Sequence, residues 1–352
     1  MKKEHILIIR FSAMGDVAMT VPVVYSLATQ YPDLRITVLS RNFARAFFEN
    51  LAPNVDFMEA DLKEEYRGVK GLNALYRRLS AKKFTKIADL HNVLRSDYLR
   101  MRFNISHYRV EHISKNRIQR RALVAKRNKV LEPLPTTFER YAEVFEKLGY
   151  PVKLEFHSLF PPEGGDLSLL PTAIGQKSDT ELWIGIAPMA TYAGKYYPVA
   201  QMRKVIERLT VDHPQARLFL FGRGQDEDQL FPEWCAAFPQ CVYVSHHLED
   251  LRQELILISH LNVMLSMDSV NMHLASLTAT PVVSVWGATH PYAGFMGWHQ
   301  SPENAVQTEL DCRPCSIYGN RLCHRGDMAC MNRITPEQLI EKMEYIINNS
   351  QT

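Results

Sequence analysis

The chain has 352 residues, 46% of them hydrophobic, and a formal net charge of +3; this length exceeds what one hydrophobic core usually supports, so two domains are expected, each with ample apolar content. No run approaches the roughly 18 apolar residues needed to cross a bilayer, and MKKEHILIIR offers four apolar residues before Arg10, too few for a signal-peptide core, so the chain is expected to stay in the cytosol. Six cysteines in this length make no disulfide scaffold, and in a reducing compartment a cluster of them binds metal or stays reduced.

The first element lies in ILIIRFSAMGDVAMTVPVV, Ile6 to Val24. A short β-branched run suits a strand buried on both faces, and the pattern after the small residues has the length of a helix. The turn carries one glycine, so it is neither the three-glycine dinucleotide fingerprint nor the lysine-bearing phosphate loop. Asp16 has two compatible readings. It can cap the helix through its carboxylate, or it can face the crevice where open α/β sheets bind ligands beyond the carboxyl ends of their strands.

Further strand-like runs follow at Arg35–Leu39 and Lys86–Leu90. From Lys63 to Lys129 the chain carries 19 Lys or Arg against 5 Asp or Glu, a net +14 that leaves −11 for the rest. KNRIQRRALVAKRNK concentrates cations with no acid between them. A solvated helical face is one reading; the other is a field for nucleic acid, anionic lipid or phosphorylated ligands. Aromatic residues are few near the densest cations, so lipid or phosphorylated partners are favoured over nucleic acid. TTFERYAEVFEKLGYP then reads as an amphipathic helix, with Thr136 and Glu139 spaced as a capping box and Gly149 and Pro151 at its end. FPPEGGDLSLLPTAIGQKSD has the composition of a connection between domains.

A second block repeats the alternation, with strands expected at Leu182–Ala187, Arg217–Phe221, Asn262–Ser266 and Pro281–Trp286. Strands alternating with helices imply parallel sheets with crossover helices. Three strand ends carry chemistry. Thr191 and Lys195 follow the first and suit a phosphate, although a lone loop lysine is commonly just solvated. Gly222 and Gly224 follow the second and allow close approach of a ligand, with Asp226 or Glu227 as an acceptor for ribose hydroxyls or as an acidic helix start. Asp268 and Ser269 open a helix whose free amides could hold a pyrophosphate, with His273 inside it. Together these describe a nucleotide site. Thr335, Pro336 and Gln338 mark the start of a last helix running through Ile347.

These residues resemble the heptosyltransferases of lipopolysaccharide core assembly, glycosyltransferase family 9. RFSAMGDVAMTVPVV is similar to that family's N-terminal motif, MDSVNMHLASLTATPVVSVWGATHPYAGFMG to its C-terminal one, and DLHNVLRS to a segment of its first domain. The resemblance implies an α/β GT-B fold of two Rossmann-like domains with parallel sheets facing across a cleft. The expected division is an acceptor-binding domain over 1–160, a linker over 161–182, a nucleotide-sugar domain over 183–335 and a C-terminal helix over 336–352. It implies that Asp16 is the catalytic base, that Thr191 and Lys195 hold the diphosphate, and that Asp268 and Ser269 embrace the donor. Glu227 would be the ribose ligand beside Gly222, with Asp226 as the alternative. The implied donor is an ADP-sugar and the acceptor an anionic glycolipid at the inner leaflet, reached through peripheral contact with an anionic membrane, with no nucleic acid. Arg117, Arg120, Arg121 and Lys126 are the acceptor-side cations of choice.

No carboxylate pair in these motifs demands Mg²⁺, so no cofactor is required. Cys312, Cys315, Cys323 and Cys330 could close a structural zinc site or remain reduced thiols, the second pair being spaced more widely than in a usual zinc knuckle. Two other classes stay open at this stage, a nucleotide-binding protein without transferase activity and a transferase using another nucleotide sugar. A nicotinamide-dependent dehydrogenase lacks its glycine fingerprint in both blocks.

Overall fold

The computed structural model describes residues 4–178 and 180–349. It divides into two compact units: one takes the described residues up to Asn116 together with Pro135–Leu159, the other takes Arg117–Leu134 and the described residues from Phe160 on. The most basic stretch therefore belongs with the second unit, whereas the expected boundary near residue 160 placed it in the first.

The first unit holds β1 (His5–Ile9), α1 (Met14–Ala18), α2 (Val21–Gln30), β2 (Arg35–Ser40), α3 (Arg45–Phe48), β3 (Val55–Glu59), α4 (Gly68–Ser80), β4 (Lys86–Asp89), α5 (Leu94–Ile105) and β5 (Arg109–His112). Next in the chain comes α6 (Arg117–Leu123), in the second unit, and then α7 (Thr137–Lys147), back in the first. All strands pair parallel in the order β3-β2-β1-β4-β5. β1 sits at the centre with all five residues buried, which is why its sequence after His5 is an unbroken apolar run. The Thr136 and Glu139 capping box forms as expected: Thr136 N–H donates to the Glu139 carboxylate at 2.7 Å and Glu139 N–H donates to Thr136 Oγ1 at 3.2 Å. Gly149 ends that helix at φ +90°, a conformation costly for any residue with a side chain.

The second unit continues with β6 (Trp183–Ala187), α8 (Val199–Asp212), β7 (Arg217–Leu220), α9 (Gln225–Ala237), β8 (Cys241–Tyr243), α10 (Leu251–Ser259), β9 (Val263–Met267), α11 (Val270–Leu277), β10 (Val282–Trp286), β11 (Ala305–Gln307), α12 (Ala329–Asn332) and α13 (Pro336–Asn349). Its sheet runs β11-β10-β9-β6-β7-β8, again all parallel. α13 packs on α8 over a core that includes Met202, Leu209, Leu339 and Met343. The residues from Phe160 form a strap fastened to this unit, where Gly165 N–H donates to Ser259 Oγ at 2.9 Å and Lys177 Nζ donates to the His260 carbonyl at 2.6 Å. Among the described residues no helix is long and apolar enough to cross a membrane.

The architecture is the two-sheet α/β arrangement expected from the sequence. The seven strands read from apolar runs form, each within about one residue of its expected ends. Four strands without such runs, β3, β5, β8 and β11, are the four sheet edges. An edge strand pairs on one side only and needs no continuous apolar stretch, so β5 carries Arg109, Glu111 and His112.

One turn gives a pH test. The Tyr292 N–H donates to His290 Nδ1 at 3.1 Å, and burial, with Arg313 and Lys129 nearby, pushes this ring down to about 4. The unfolded chain takes up a proton here from about pH 6.5 downward while the folded chain stays neutral, so stability is lost as pH falls through that window. His290→Asn keeps a capping acceptor and removes the titration. Urea unfolding is expected to show the variant gaining on the native chain between pH 7 and 4.5; a constant difference would mean the ring titrates normally.

Candidate active site

In the first unit the strand order reverses between β1 and β4, the position at which open parallel sheets part to form a crevice. Beyond β1 lie Arg10, Ser12 and Asp16. Arg10 is buried; its Nη1 donates to the Leu90 carbonyl at 2.7 Å and its Nη2 meets Asp16 Oδ2 at 2.7 Å. Burial opposes the Arg10 charge, but Tyr141 and Asp16 outweigh it and hold the guanidinium protonated. The Asp16 side chain stays one-third exposed. The helix starts earlier than its sequence suggested, at Met14, so Asp16 is not the cap residue itself; it sits in the first turn and accepts from the Ala13 N–H at 3.3 Å. The Tyr141 hydroxyl, from α7, donates to the Asp16 carbonyl at 3.1 Å. A carboxylate held through Oδ2 by Arg10 and the Ala13 amide, and still partly open to solvent, is suited to accept a proton from a bound hydroxyl.

The loop after β4 is organised by Asp89, which is wholly buried. Its Oδ1 accepts from the His91 and Asn92 amides, both at 2.9 Å, and its Oδ2 stands 3.3 Å from Arg100 Nη1. Burial raises the Asp89 pKa, while these amides and Arg100 oppose that shift. Asn92 takes φ +52° to complete the turn, a conformation Asn tolerates better than most residues. His91 therefore projects beside Ser12, its Nε2 3.4 Å from Ser12 Oγ.

In the second unit the reversal falls between β6 and β9. Lys195 ends a single 3-10 turn after β6 and Asp268 ends β9's approach to α11; Lys195 Nζ and Asp268 Oδ2 are 2.8 Å apart with both side chains largely buried. Ser269 is the residue before α11, its Oγ 3.2 Å from Ser266 Oγ, and Thr191 is exposed in the loop leading to Lys195. After β7 the Glu227 side chain folds over the glycine turn: a Cβ at Gly222 would lie 2.7 Å from Glu227 Cγ, and one at Gly224 would lie 2.7 Å from its Oε2. This places Glu227 over the turn, while Asp226 is more exposed.

The family model of glycosyltransferase family 9 (heptosyltransferase) matches residues 72–324. The chain belongs to that family. It is a glycosyltransferase, and its two parallel sheets are the GT-B arrangement expected from the sequence. Its fold is similar to a family 9 glycosyl transferase of Veillonella parvula (TM-score 0.73, 16% identity, 99% of this chain and 98% of that one). It is also similar to ADP-heptose LPS heptosyltransferase II of E. coli (0.68, 18%, 99% and 100%) and to E. coli heptosyltransferase WaaC with ADP (0.62, 18%, 86% and 92%). No curated protein sequence gives a significant match.

One expectation from the sequence changes. Of the four acceptor-side cations, Arg117, Arg121 and Lys126 are exposed, but Arg120 is buried in the second unit: its Nη1 donates to the Tyr318 hydroxyl at 2.7 Å and its guanidinium lies 5.0 Å from the Phe295 ring centre. It anchors the segment Arg117–Leu134, which displays the others. The four clustered cysteines line one small cavity with Arg313, yet among the described residues no three ligating groups come together to hold a metal ion. Cys330 is part of the hydrophobic core, Cys315 Sγ faces the Ala288 carbonyl at 3.9 Å, and Cys323 is approached by the amides of Arg325, Gly326 and Met328.

Arg10, Asp89 and His91 carried no role in the sequence reading. The signal for Asp89 was present: an acid at the end of an apolar strand, three residues before an Asn, is the pattern of a side chain capping its own turn.

The Lys195 turn packs tightly on the cysteine loop. A Cβ at Gly194 would meet the Gly319 carbonyl oxygen at 2.7 Å and Ala288 Cβ at 3.0 Å. Gly194→Ala is expected to cost about 1–3 kcal/mol by overpacking and to shift Lys195 away from Asp268. Urea unfolding reads the first effect and a crystal structure of the variant the second; a Lys195–Asp268 pair still in place would mean the turn moves without taking Lys195 along.

Proposed function

We propose that this chain is an inverting heptosyltransferase that moves a heptose from ADP-heptose to an anionic lipopolysaccharide core or lipid A-linked acceptor. Asp16 takes the proton from the acceptor hydroxyl as its oxygen bonds to the anomeric carbon; the bond from that carbon to the diphosphate breaks, and ADP leaves with the electron pair. The observation that carries this reading is the Asp16 carboxylate, fixed by Arg10 at the end of the central strand yet still open to solvent. Lys195 supplies positive charge where the diphosphate departs. Thr191, Ser269 and the first amides of α11 contact the phosphates, and Glu227 holds the ribose. The exposed Arg117, Arg121 and Lys126 attract an anionic lipid surface, each worth about 1 kcal/mol near such a surface. In support, the similar folds include E. coli ADP-heptose LPS heptosyltransferase II and E. coli heptosyltransferase WaaC with ADP.

Asp16→Asn is expected to fold and bind ADP as the native chain does while losing transfer by a factor of about 10² or more, because an amide cannot take the proton. Transfer at the native rate would remove Asp16 as the base. Lys195→Ala should weaken ADP binding and transfer together, and should also destabilise the fold by about 3–5 kcal/mol, since it strands the buried Asp268 carboxylate. Adding Asp268→Asn should restore stability without restoring ADP affinity, a separation that thermal melting and calorimetry would register.

Replacing Arg117, Arg121 and Lys126 by Gln is expected to abolish salt-dependent binding to phosphatidylglycerol vesicles and leave ADP affinity intact. Vesicle binding that survives in sedimentation assays would return these side chains to a solvated surface.

A further inference from the structure

His91 is 8% exposed, and its two ring nitrogens are almost unused. Nε2 stands 3.4 Å from Ser12 Oγ, and Nδ1 has no hydrogen-bond partner among the described residues. A buried polar atom left unpaired is expensive enough to need a reason. Packing alone does not supply one, because the Phe11 ring that meets it edge-on at 5.8 Å would pack equally well against an apolar side chain. The position does supply one. Ser12 and Asp16 lie on the loop after β1, His91 lies on the loop after β4, and these are the two loops that flank the reversal of strand order.

The charged groups facing the ring are Arg10, Asp16, Lys115 and Arg95. Burial first, and then Arg10, pushes its pKa down to about 3 against the opposite pull of Asp16, so the ring is neutral throughout the physiological range. A neutral imidazole has one N–H and one bare nitrogen. An orphaned N–H is the rarer and costlier of the two to bury, so the proton belongs on Nε2, where it can be donated to Ser12 Oγ. The 3.4 Å separation is long, as hydrogen bonds in such sites often are before the ligand arrives. Ser12, only partly buried, then has its own O–H free to donate outward.

We propose that His91 and Ser12 form a directional hydrogen-bond relay that positions the acceptor: His91 Nε2–H donates to Ser12 Oγ, Ser12 O–H donates to the oxygen of the attacking acceptor hydroxyl, and that hydroxyl's own proton is thereby turned toward Asp16. Ser12 touches the substrate; His91 acts through it as a positioning residue. This rests on Asp16 as the base, and it adds the groups that choose which acceptor hydroxyl is used.

The test has two readouts. In protein labelled with ¹⁵N-histidine, the His91 ring is expected to show the Nε2–H form unchanged from pH 8 to pH 5; the Nδ1–H form, or a ring that titrates in that range, overturns the relay. Kinetics with ADP-heptose and a deacylated lipopolysaccharide core form the second. Ser12→Ala and His91→Phe are each expected to raise KM for the acceptor about tenfold, with ADP affinity unchanged. The double variant should be no worse than either single one, and His91→Gln, whose amide can still donate, should recover most of the loss. Additive effects, or native acceptor kinetics in Ser12→Ala, overturn it. Should His91→Phe lose ADP affinity through misfolding, Ser12→Ala and the ¹⁵N spectra decide alone. The two readings fail separately: Asp16→Asn retaining transfer defeats the base assignment, whereas loss of transfer in Asp16→Asn with native kinetics in Ser12→Ala defeats only the relay.

Discussion

Because every strand in both sheets pairs parallel with its neighbours, every connection must cross back over a face of its sheet, and the carboxyl ends of all strands in a unit end up on one edge. Side chains from loops far apart in sequence then meet at the point where strand order reverses. In the first unit this joins residues 10–16 to residues 89–92, and in the second it joins Lys195 to Asp268. Each site is thus a by-product of topology, and chemistry was added to a crevice that parallel pairing had already opened.

Both crevices use the same electrostatic device, an ion pair, buried to different extents. In the first unit the cation is the buried member, and Arg10 holds an Asp16 that remains partly in water. In the second both partners are largely buried, so neither can be removed without stranding the other in a medium of low polarity. The difference matters physically: a carboxylate left partly in water can still exchange a proton with what binds it, whereas an ammonium held by a buried carboxylate keeps its charge at a fixed point.

The architecture was legible where burial on both faces forced an unbroken apolar run, and illegible at the four edges, where β3, β5, β8 and β11 owe their existence to a neighbour's backbone rather than to their own side chains. The same division holds for the sites. Asp16, Lys195 and Asp268 stand in short motifs and could be read one loop at a time. Arg10 and His91 act across strands, through a carbonyl at Leu90 or a hydroxyl at Ser12, and no spacing within a single loop encodes such a partner. Arg120 was misread for the opposite reason. It looked like one more cation in a basic run, but its partners Phe295 and Tyr318 lie some 175 to 198 residues further along the chain.

That distance has a consequence for how the molecule is made. A ribosome releases the chain from its N-terminus, and units of structure close in the order in which their parts emerge. The strap of residues 117–134 leaves the ribosome early but belongs to the unit whose remaining parts come last, since Lys129 is held by the carbonyls of Asp311 and Arg313 and Arg120 by Tyr318. For most of synthesis the most cationic part of the nascent chain is therefore an unattached loop, bounded on both sides by sequence that can already have folded. Whatever anionic surface lies nearby meets that loop before the second sheet exists to claim it.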